Sequence, residues 1–451
     1  MMKRPAAAIL ALAFCASASA QNPVIRDQFC ADPTARVFDG RLYLYPSHDI
    51  VAPPDYPRGD EWFCMADYHV FSSDNLVDWT DHGVVLAQDG VPWVMPRSYS
   101  MWAPDCVEKG GQYYFYFPSR VKGEDGFDTP GSEDRFGVGV ALGDSPVGPF
   151  VPEPENIEGI EGIDPCVLQC DGGKAYIYWS QNGIWVAELS EDMLSLASKP
   201  KHLDELPDTY VEGPFAFFKD GIYYLTYPMA EGDRVVLAYS VSGSPMGPFE
   251  NRGVFMGKDY SAYCWTNHHS IVEYRGQWYL FYHHNDYDPG IGHHRSVKAE
   301  KLFFEPDGTI REVVPTRRGV GVVPASGIVE IDRYSRASQN VTERFVDESR
   351  PFEGWCVTLP SGASLVFDEI SFSRRGNLHV RLYAAAPEKA CLRLTVNTDS
   401  RSVSKIIHIL PSKKIRPGRT IRYPSLQGIG TIRLENLSDF DVSIDKIEFI
   451  R

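Results

Sequence analysis

Five polar residues fall at one phase of a repeated pattern, and four of them are acids. They are Asp32 in Ala31-Asp32-Pro33, Asp105 in Ala103-Pro104-Asp105, Asp164 in Ile163-Asp164-Pro165, Glu212 in Val211-Glu212-Gly213-Pro214, and His268 in Asn267-His268-His269-Ser270. Each precedes the glycine of a turn by six to nine residues. Taken singly, an Asp before Pro is a turn former and a Glu before Gly-Pro is a solvated loop residue. Turn chemistry does not require acids at the same register in successive repeats. Acids gathered at one point repel and cannot all remain ionised. Hydrolysis of a glycosidic bond uses that condition: one carboxyl stays protonated to donate to the leaving oxygen, an ionised partner activates water or attacks the sugar, and a third tunes the pair.

The elements that position these residues are legible as hairpins. The turns Asp39-Gly40, Gly110-Gly111, Gly172-Gly173, Asp220-Gly221 and Arg275-Gly276 each follow a short apolar run and lead into an aromatic-rich segment such as Leu42-Tyr43-Leu44-Tyr45 or Trp278-Tyr279-Leu280-Phe281. Aromatic and branched residues after a glycine turn predict β-strands. The glycines at 40, 111, 173, 221 and 276 are spaced by about 50 to 70 residues, enough for a four-stranded sheet per repeat. Five such sheets predict a five-bladed β-propeller; a pair of all-β sandwiches is the competing architecture. Ser145-Pro146-Val147-Gly148-Pro149-Phe150 and Ser244-Pro245-Met246-Gly247-Pro248-Phe249 recur where an outer-strand turn would fall. If the first strand of each hairpin is innermost, the pseudo-rotation brings the four acids and His268 to the central axis.

Residues 1–20 carry Lys3 and Arg4, a short apolar run and Ala16-Ser17-Ala18-Ser19-Ala20, the order of a secretory signal, so the protein is expected to be exported. The expected division is 1–20 signal, 21–330 propeller, and 335–451 a smaller antiparallel β-sandwich of jelly-roll type, since segments such as His379-Val380-Arg381-Leu382-Tyr383 alternate in β fashion. Gly319 to Ala325 is expected to form the last strand that closes the ring. No other segment holds enough apolar residues to predict a membrane span. The 44 basic and 60 acidic residues are uneven: from residue 331 onward the net charge is +5, and before it −21. The acidic larger part argues against nucleic acid or an anionic membrane as partner. Eight cysteines follow the signal without a zinc-type spacing, and buried free thiols are expected ahead of a disulfide framework.

In these motifs the chain resembles glycoside hydrolase family 43, over about residues 22–325. The resemblance rests on the five motifs above in order, together with Trp102-Ala103-Pro104-Asp105, His268-His269-Ser270-Ile271-Val272 and Arg295-Ser296-Val297. It implies that Asp32 is the general base, Glu212 the general acid, and Asp164 the residue that raises the acid's pKa. It also implies inversion at the anomeric carbon and an arginine, Arg295, beside the pocket. His268, or the adjacent His269, corresponds to an axial histidine associated with a hydrated calcium ion; the chemistry itself needs no cofactor. Asp105 is expected to touch substrate or to hold neighbouring strands, and Trp102 and Trp265 to offer apolar platforms for a sugar face. The expected activity is exo-acting release of arabinofuranose or xylose from plant polysaccharides or oligosaccharides, with bulky insertions at 50–62 and 123–134 shaping the pocket. The alternatives are β-galactosidase or endo-arabinanase action within the family, and a non-catalytic glycan-binding propeller whose acidic axis holds calcium. The C-terminal run Val442-Ser443-Ile444-Asp445-Lys446-Ile447-Glu448-Phe449 resembles the last strand of family 6 carbohydrate-binding modules. With Trp355, Tyr383 and Tyr423 as its main stacking candidates, that domain is expected to dock rather than to bind sugar.

Overall fold

The computed structural model describes residues 22–54, 56, 62–123, 135–257, 266–289, 292–373 and 378–450. Four of the predicted turns, Asp39-Gly40, Gly110-Gly111, Asp220-Gly221 and Arg275-Gly276, join strands directly, with φ of 49° and 75°, 66° and 86°, 50° and 85°, and 53° and 78°. Positive φ at both central residues is the hairpin turn whose twist matches its strands, and glycine takes it without strain. The third hairpin turns over 170–174, closed by Cys170 N–H donating to Lys174 O at 2.8 Å.

These hairpins grow into five sheets, each antiparallel and in sequence order. The first contains 29–38, 41–49, 67–73 and 80–87; the second 105–109, 112–120, 136–143 and 151–152; the third 163–169, 175–180, 184–189 and 201–202. The fourth contains 215–219, 222–231, 234–242 and 250–256, and the fifth 269–274, 277–284 and 296–302. First strands lie against one another in a closed cycle, from 29–38 through 105–109, 163–169 and 215–219 to 269–274 and back. That cycle is the inner wall of a five-bladed propeller. Ser145–Phe150 and Ser244–Phe249 lie between the third and fourth strands of their blades, as their recurrence predicts.

Ring closure differs from the expectation. Val323-Pro324, in the segment expected to complete the fifth blade, pairs parallel with 364–373 of the following domain. Val323 and Ala325 are buried in that domain's core, where their apolar alternation is satisfied. The ring is closed by the N-terminal segment instead: Val24 N–H donates to Val297 O at 2.8 Å and Cys30 N–H to Arg295 O at 2.9 Å. Val24 and Ile25 bury beside Phe281 and Val297.

The C-terminal part is two packed sheets. One orders 323–324, 364–373, 427–436, 390–398 and 401–409; the other orders 342–345, 355–359, 442–450, 378–386 and 412–417. Strand 327–330 also pairs with 442–450, so the strands of the sandwich start at residue 323, ahead of the expected 335. Leu378, Val380, Leu382 and Ala384 alternate inward along one strand, the period-2 pattern that fixes which face is core. Trp355 leaves that core: its ring stacks on Tyr287 of the propeller at 5.3 Å and lies beneath the Arg317 guanidinium, 3.9 Å from the ring centre. Tyr423 is buried, its hydroxyl donating to Leu394 O, and Tyr383 lies under Lys446. Two of the three stacking candidates are therefore packed away from solvent.

Among the described residues seven cysteines are free, five of them buried; Cys264 lies outside those residues. No helix of the described residues is long and apolar enough to cross a membrane. The predicted signal, residues 1–20, also lies outside the described residues.

Candidate active site

Asp32 and Asp164 begin as backbone problems. Each precedes a proline in an inner strand and takes a left-handed φ, 47° and 57°, a conformation that costs a non-glycine residue energy and collects at functional sites. At Asp32 the pairing of 29–38 with 41–49 slips between Ala31 and Thr34, and at Asp164 the pairing of 163–169 with 175–180 slips at the same place in the blade. The irregularity turns both carboxylates out of the sheet ladder. They line one cavity of about 200 Å³ with Glu212, His268, Arg295 and Trp102. Asp32 and Asp164 are buried, and Glu212 is half-buried.

The charge of each acid follows from its partners. Burial, the largest single effect, pushes the Asp32 carboxyl up, but Arg295, whose Nη1 donates to Oδ1 at 2.9 Å, together with His283, His268 and Ser47 brings it below the ordinary aspartate range. Ser47 adds an O–H donated to Oδ2 at 2.6 Å. His283 and His268 also face Asp32, with Nδ1 at 3.5 and 3.8 Å from Oδ1. Desolvation holds both imidazoles low, His268 at about 4, so both are neutral at neutral pH, and Arg295 is the largest single lowering influence on Asp32. His283 Nδ1 accepts the Asp32 backbone N–H at 2.9 Å, which agrees with a neutral ring. Arg295 is fixed from behind: Nε and Nη2 grip Asp49 as a two-pronged fork at 2.9 Å each, and its backbone N–H donates to the same carboxylate.

Glu212 has the opposite electrostatics. Burial and the Asp32 charge raise its carboxyl to about 7, against a lowering by Arg295. Asp164 is also pushed up, by burial first and then by the Glu212 and Asp32 charges. Two repelling carboxyls in one dry site hold a proton between them at neutral pH. Gly213 N–H donates to Asp164 Oδ2 at 2.9 Å, a bond that favours the ionised form of Asp164. That bond favours the arrangement in which Glu212 carries the proton. In that arrangement the site presents an ionised Asp32 and a protonated Glu212 beside a charged Asp164. Such a set can activate water on one side of a bond and protonate a leaving oxygen on the other.

Of the remaining expected site residues, Trp102 lines the cavity and packs against Phe136 and Phe63, and Arg295 lines it while holding Asp32. Trp265 lies outside the described residues. His268 lines the cavity, whereas His269 turns into the core, its Nε2 2.6 Å from Thr226 Oγ1. The placement of Asp105 against substrate is corrected. It is fully buried, with both oxygens taken: Arg36 donates to them at 2.9 and 2.6 Å, Cys106 N–H at 2.7 Å and Val167 N–H at 2.6 Å. A carboxylate so satisfied ties blades one, two and three together and has nothing left to offer a sugar.

Sequence reasoning missed Ser47, Asp49 and His283, which hold Asp32 and Arg295 in place. They sit on second strands, outside the phase that drew attention to the inner ones. Trp62, Phe63 and Met65 were also missed as cavity walls, although the long insertion ending at Trp62 was the available signal. A wider depression of about 620 Å³ near Arg135, Trp179 and Trp185 contains none of the five same-phase residues.

Known proteins resemble this chain over about two thirds of its length. The chain is 36% identical over 339 residues to "Xylosidase/arabinosidase 43A" of Humicola insolens, covering 64% of this chain and 98% of that one. It is 34% identical over 333 residues to a "Beta-xylosidase" of Xylanibacter ruminicola, covering 64% and 98%. Among solved structures, a β-xylosidase/α-arabinofuranosidase from a compost microbial metagenome, crystallised with xylotriose in a calcium-free form, superimposes with a TM-score of 0.57 at 37% identity, covering 66% of this chain and 98% of its own. An arabinoxylan arabinofuranohydrolase of Bacillus subtilis, at 21% identity and a TM-score of 0.56, covers 95% of this chain and shares the fold alone. With the carboxyl ring in place and residues 20–310 matching the profile described as Glycosyl hydrolases family 43, the chain belongs to glycoside hydrolase family 43.

Proposed function

We propose that this glycoside hydrolase inverts its substrate and acts from chain ends, releasing xylose or arabinofuranose from plant polysaccharide side chains or oligosaccharides. The observation that carries the reading is that one cavity holds Asp32, ion-paired with Arg295 and lowered, and Glu212, with no such cation bonded to it among the described residues and raised to about 7. Asp32, ionised and held by Arg295 and Ser47, takes a proton from the attacking water. Glu212 donates its proton to the departing oxygen, and Asp164 keeps that proton available. The cavity is smaller than the about 300–1,000 Å³ of pockets for larger ligands, which suits one terminal sugar ring. Trp62, Phe63 and Trp102 supply apolar surface for its face. The names of the relatives support a pentose over a hexose.

A calcium ion fits the axis only through its water shell. Calcium takes six to eight oxygen ligands, while the axis offers the His268 imidazole beside the buried Thr266 Oγ1 and Asn267 amide, which have no hydrogen-bond partner among the described residues. His268, Thr266 and Asn267 would hold the hydrated ion, which would add positive charge near Asp32. The leader-like residues 1–20 support export, and the burial of Trp355 against Tyr287 supports a docking role for the sandwich.

Proton NMR of the first product anomer tests the reading, using aryl β-xylopyranoside, α-arabinofuranoside and β-galactoside substrates. The proposal expects the inverted anomer to appear first, with turnover of one or both pentosides. Retention of configuration, or galactoside as the only substrate cleaved, contradicts it; inactivity on every glycan favours a binding propeller.

A further inference from the structure

Away from the pocket, the first blade carries a second group of coordinating side chains. His48 lies on 41–49, and Asp67 and His69 lie on the adjacent strand 67–73, with one donor atom from each within 4.8 Å of the others. His48 Nδ1 is 2.8 Å from Asp67 Oδ1, and His69 Nε2 is 4.0 Å from the same oxygen. A tetrahedron built on metal–ligand bonds of about 2.0–2.2 Å has edges of about 3.3–3.6 Å, and the two measured separations bracket that length.

The other ring nitrogen of His69 is committed. Nδ1 lies 3.0 and 3.1 Å from the two oxygens of Asp81, on 80–87. Donation of Nδ1–H to Asp81 leaves the lone pair on Nε2, facing Asp67. A carboxylate behind a histidine is the outer support that metal-binding histidines carry, where it fixes tautomer and ring orientation. Asp81 is itself anchored by Gly83 N–H at 2.7 Å and Gln28 Nε2 at 3.2 Å. The two imidazoles meet edge to face at 4.8 Å, and Phe71 stacks on His69 from the other side. The three side chains remain 18%, 20% and 15% exposed, so an ion has an entry path and an open fourth position for water.

We propose that His48, Asp67 and His69 form a binding site for a divalent transition metal, with zinc as the best-matched ion. Two imidazoles and one carboxylate suit zinc, copper or nickel rather than calcium, which prefers oxygen alone. Binding displaces the hydrogen bond between His48 Nδ1 and Asp67 Oδ1; the imidazole proton moves to Nε2, which leaves the Nδ1 lone pair for the metal. The site is distinct from the axial His268. His48 does, however, sit between Ser47 and Asp49, which hold Asp32 and Arg295, so a metal on this strand would brace the support of the base.

The test is zinc titration by calorimetry of the full chain after dialysis against EDTA, with the bound metal counted by mass spectrometry. Wild type is expected to bind one more equivalent of zinc than the His48→Asn/His69→Asn double variant. Asp81→Asn, which leaves the three ligands intact, is expected to weaken that equivalent by about 10–100-fold. Unfolding temperatures in EDTA show whether each variant is folded. Equal zinc stoichiometry in wild type and a folded double variant overturns the proposal, and so does a wild type that binds no zinc; in either case His69 only lies between Asp67 and Asp81 as a structural contact. If the double variant fails to fold, Asp81→Asn carries the test alone, and unchanged zinc affinity in it overturns the proposal.

Discussion

At the residue scale, acids of the same chemical class are shifted in opposite directions, Asp32 down and Glu212 up. Asp32→Asn and Glu212→Gln are each expected to lower kcat on natural linkages by about 10²–10⁴-fold, the usual worth of a positioned base or acid; steady-state kinetics on a pentose oligosaccharide checks this. Glu212 must be protonated to donate, so activity is lost as pH rises through its pKa of about 7. Asp32 must be ionised, and its depressed pKa places the acid limb of the kcat/KM profile below the ordinary aspartate range. Asp164→Asn removes a negative neighbour of Glu212, which eases loss of the proton, so the alkaline limb is expected to move to lower pH. An unmoved limb would remove Asp164 from its tuning role. Asp105→Asn separates scaffold from site. Breaking a buried, fully bonded ion pair costs about 3–5 kcal/mol of stability, so the unfolding temperature should fall while KM stays within about twofold. A raised KM without destabilisation would return Asp105 to the substrate.

At the element scale, the inner strands and their turns do the positioning. The acids were legible because the blade repeat fixes one phase, and a residue at that phase reaches the axis whatever its neighbours. Asp105 shows the limit of that logic: phase brings it to the inner wall, but Arg36 and Val167 decide that it faces neighbouring strands instead of the cavity. Ser47, Asp49 and His283 were not legible, since support from behind depends on contacts between strands that no spacing encodes. The five-blade count was legible from the glycine turns. The closing strand was not, because Val323 and Ala325 read equally well as the edge of a blade or of a sandwich, and only burial against Ile370 and Phe372 separates the two. Gly213 is the element-scale prediction. It holds φ at +68°, and a Cβ there would meet His268 Nδ1 at 3.2 Å. Gly213→Ala is expected to displace the N–H that serves Asp164 and to lower kcat more than it raises KM; unchanged kcat would show that this N–H is dispensable.

At the scale of the whole molecule, propeller and sandwich are joined by packing rather than tethered. Trp355 sits between Tyr287 and Phe345 under Arg317, and Val77 of the propeller belongs to the sandwich's core cluster. Trp355→Ala is expected to cost about 3–5 kcal/mol, as for other large buried aromatics, and to be seen in calorimetry as a lowered, still single transition; separate transitions for the two parts would mean that the interface is dispensable. The ring architecture exists, in this account, to set an ionised base and a protonated acid on different blades around one sugar. The most direct test compares kcat for Asp32→Asn and Glu212→Gln on a sugar–sugar linkage and on an aryl glycoside whose dinitrophenolate leaves without protonation. The account predicts that Glu212→Gln loses orders of magnitude on the first and little on the second, while Asp32→Asn loses on both. Equal losses by Glu212→Gln on the two substrates would contradict it.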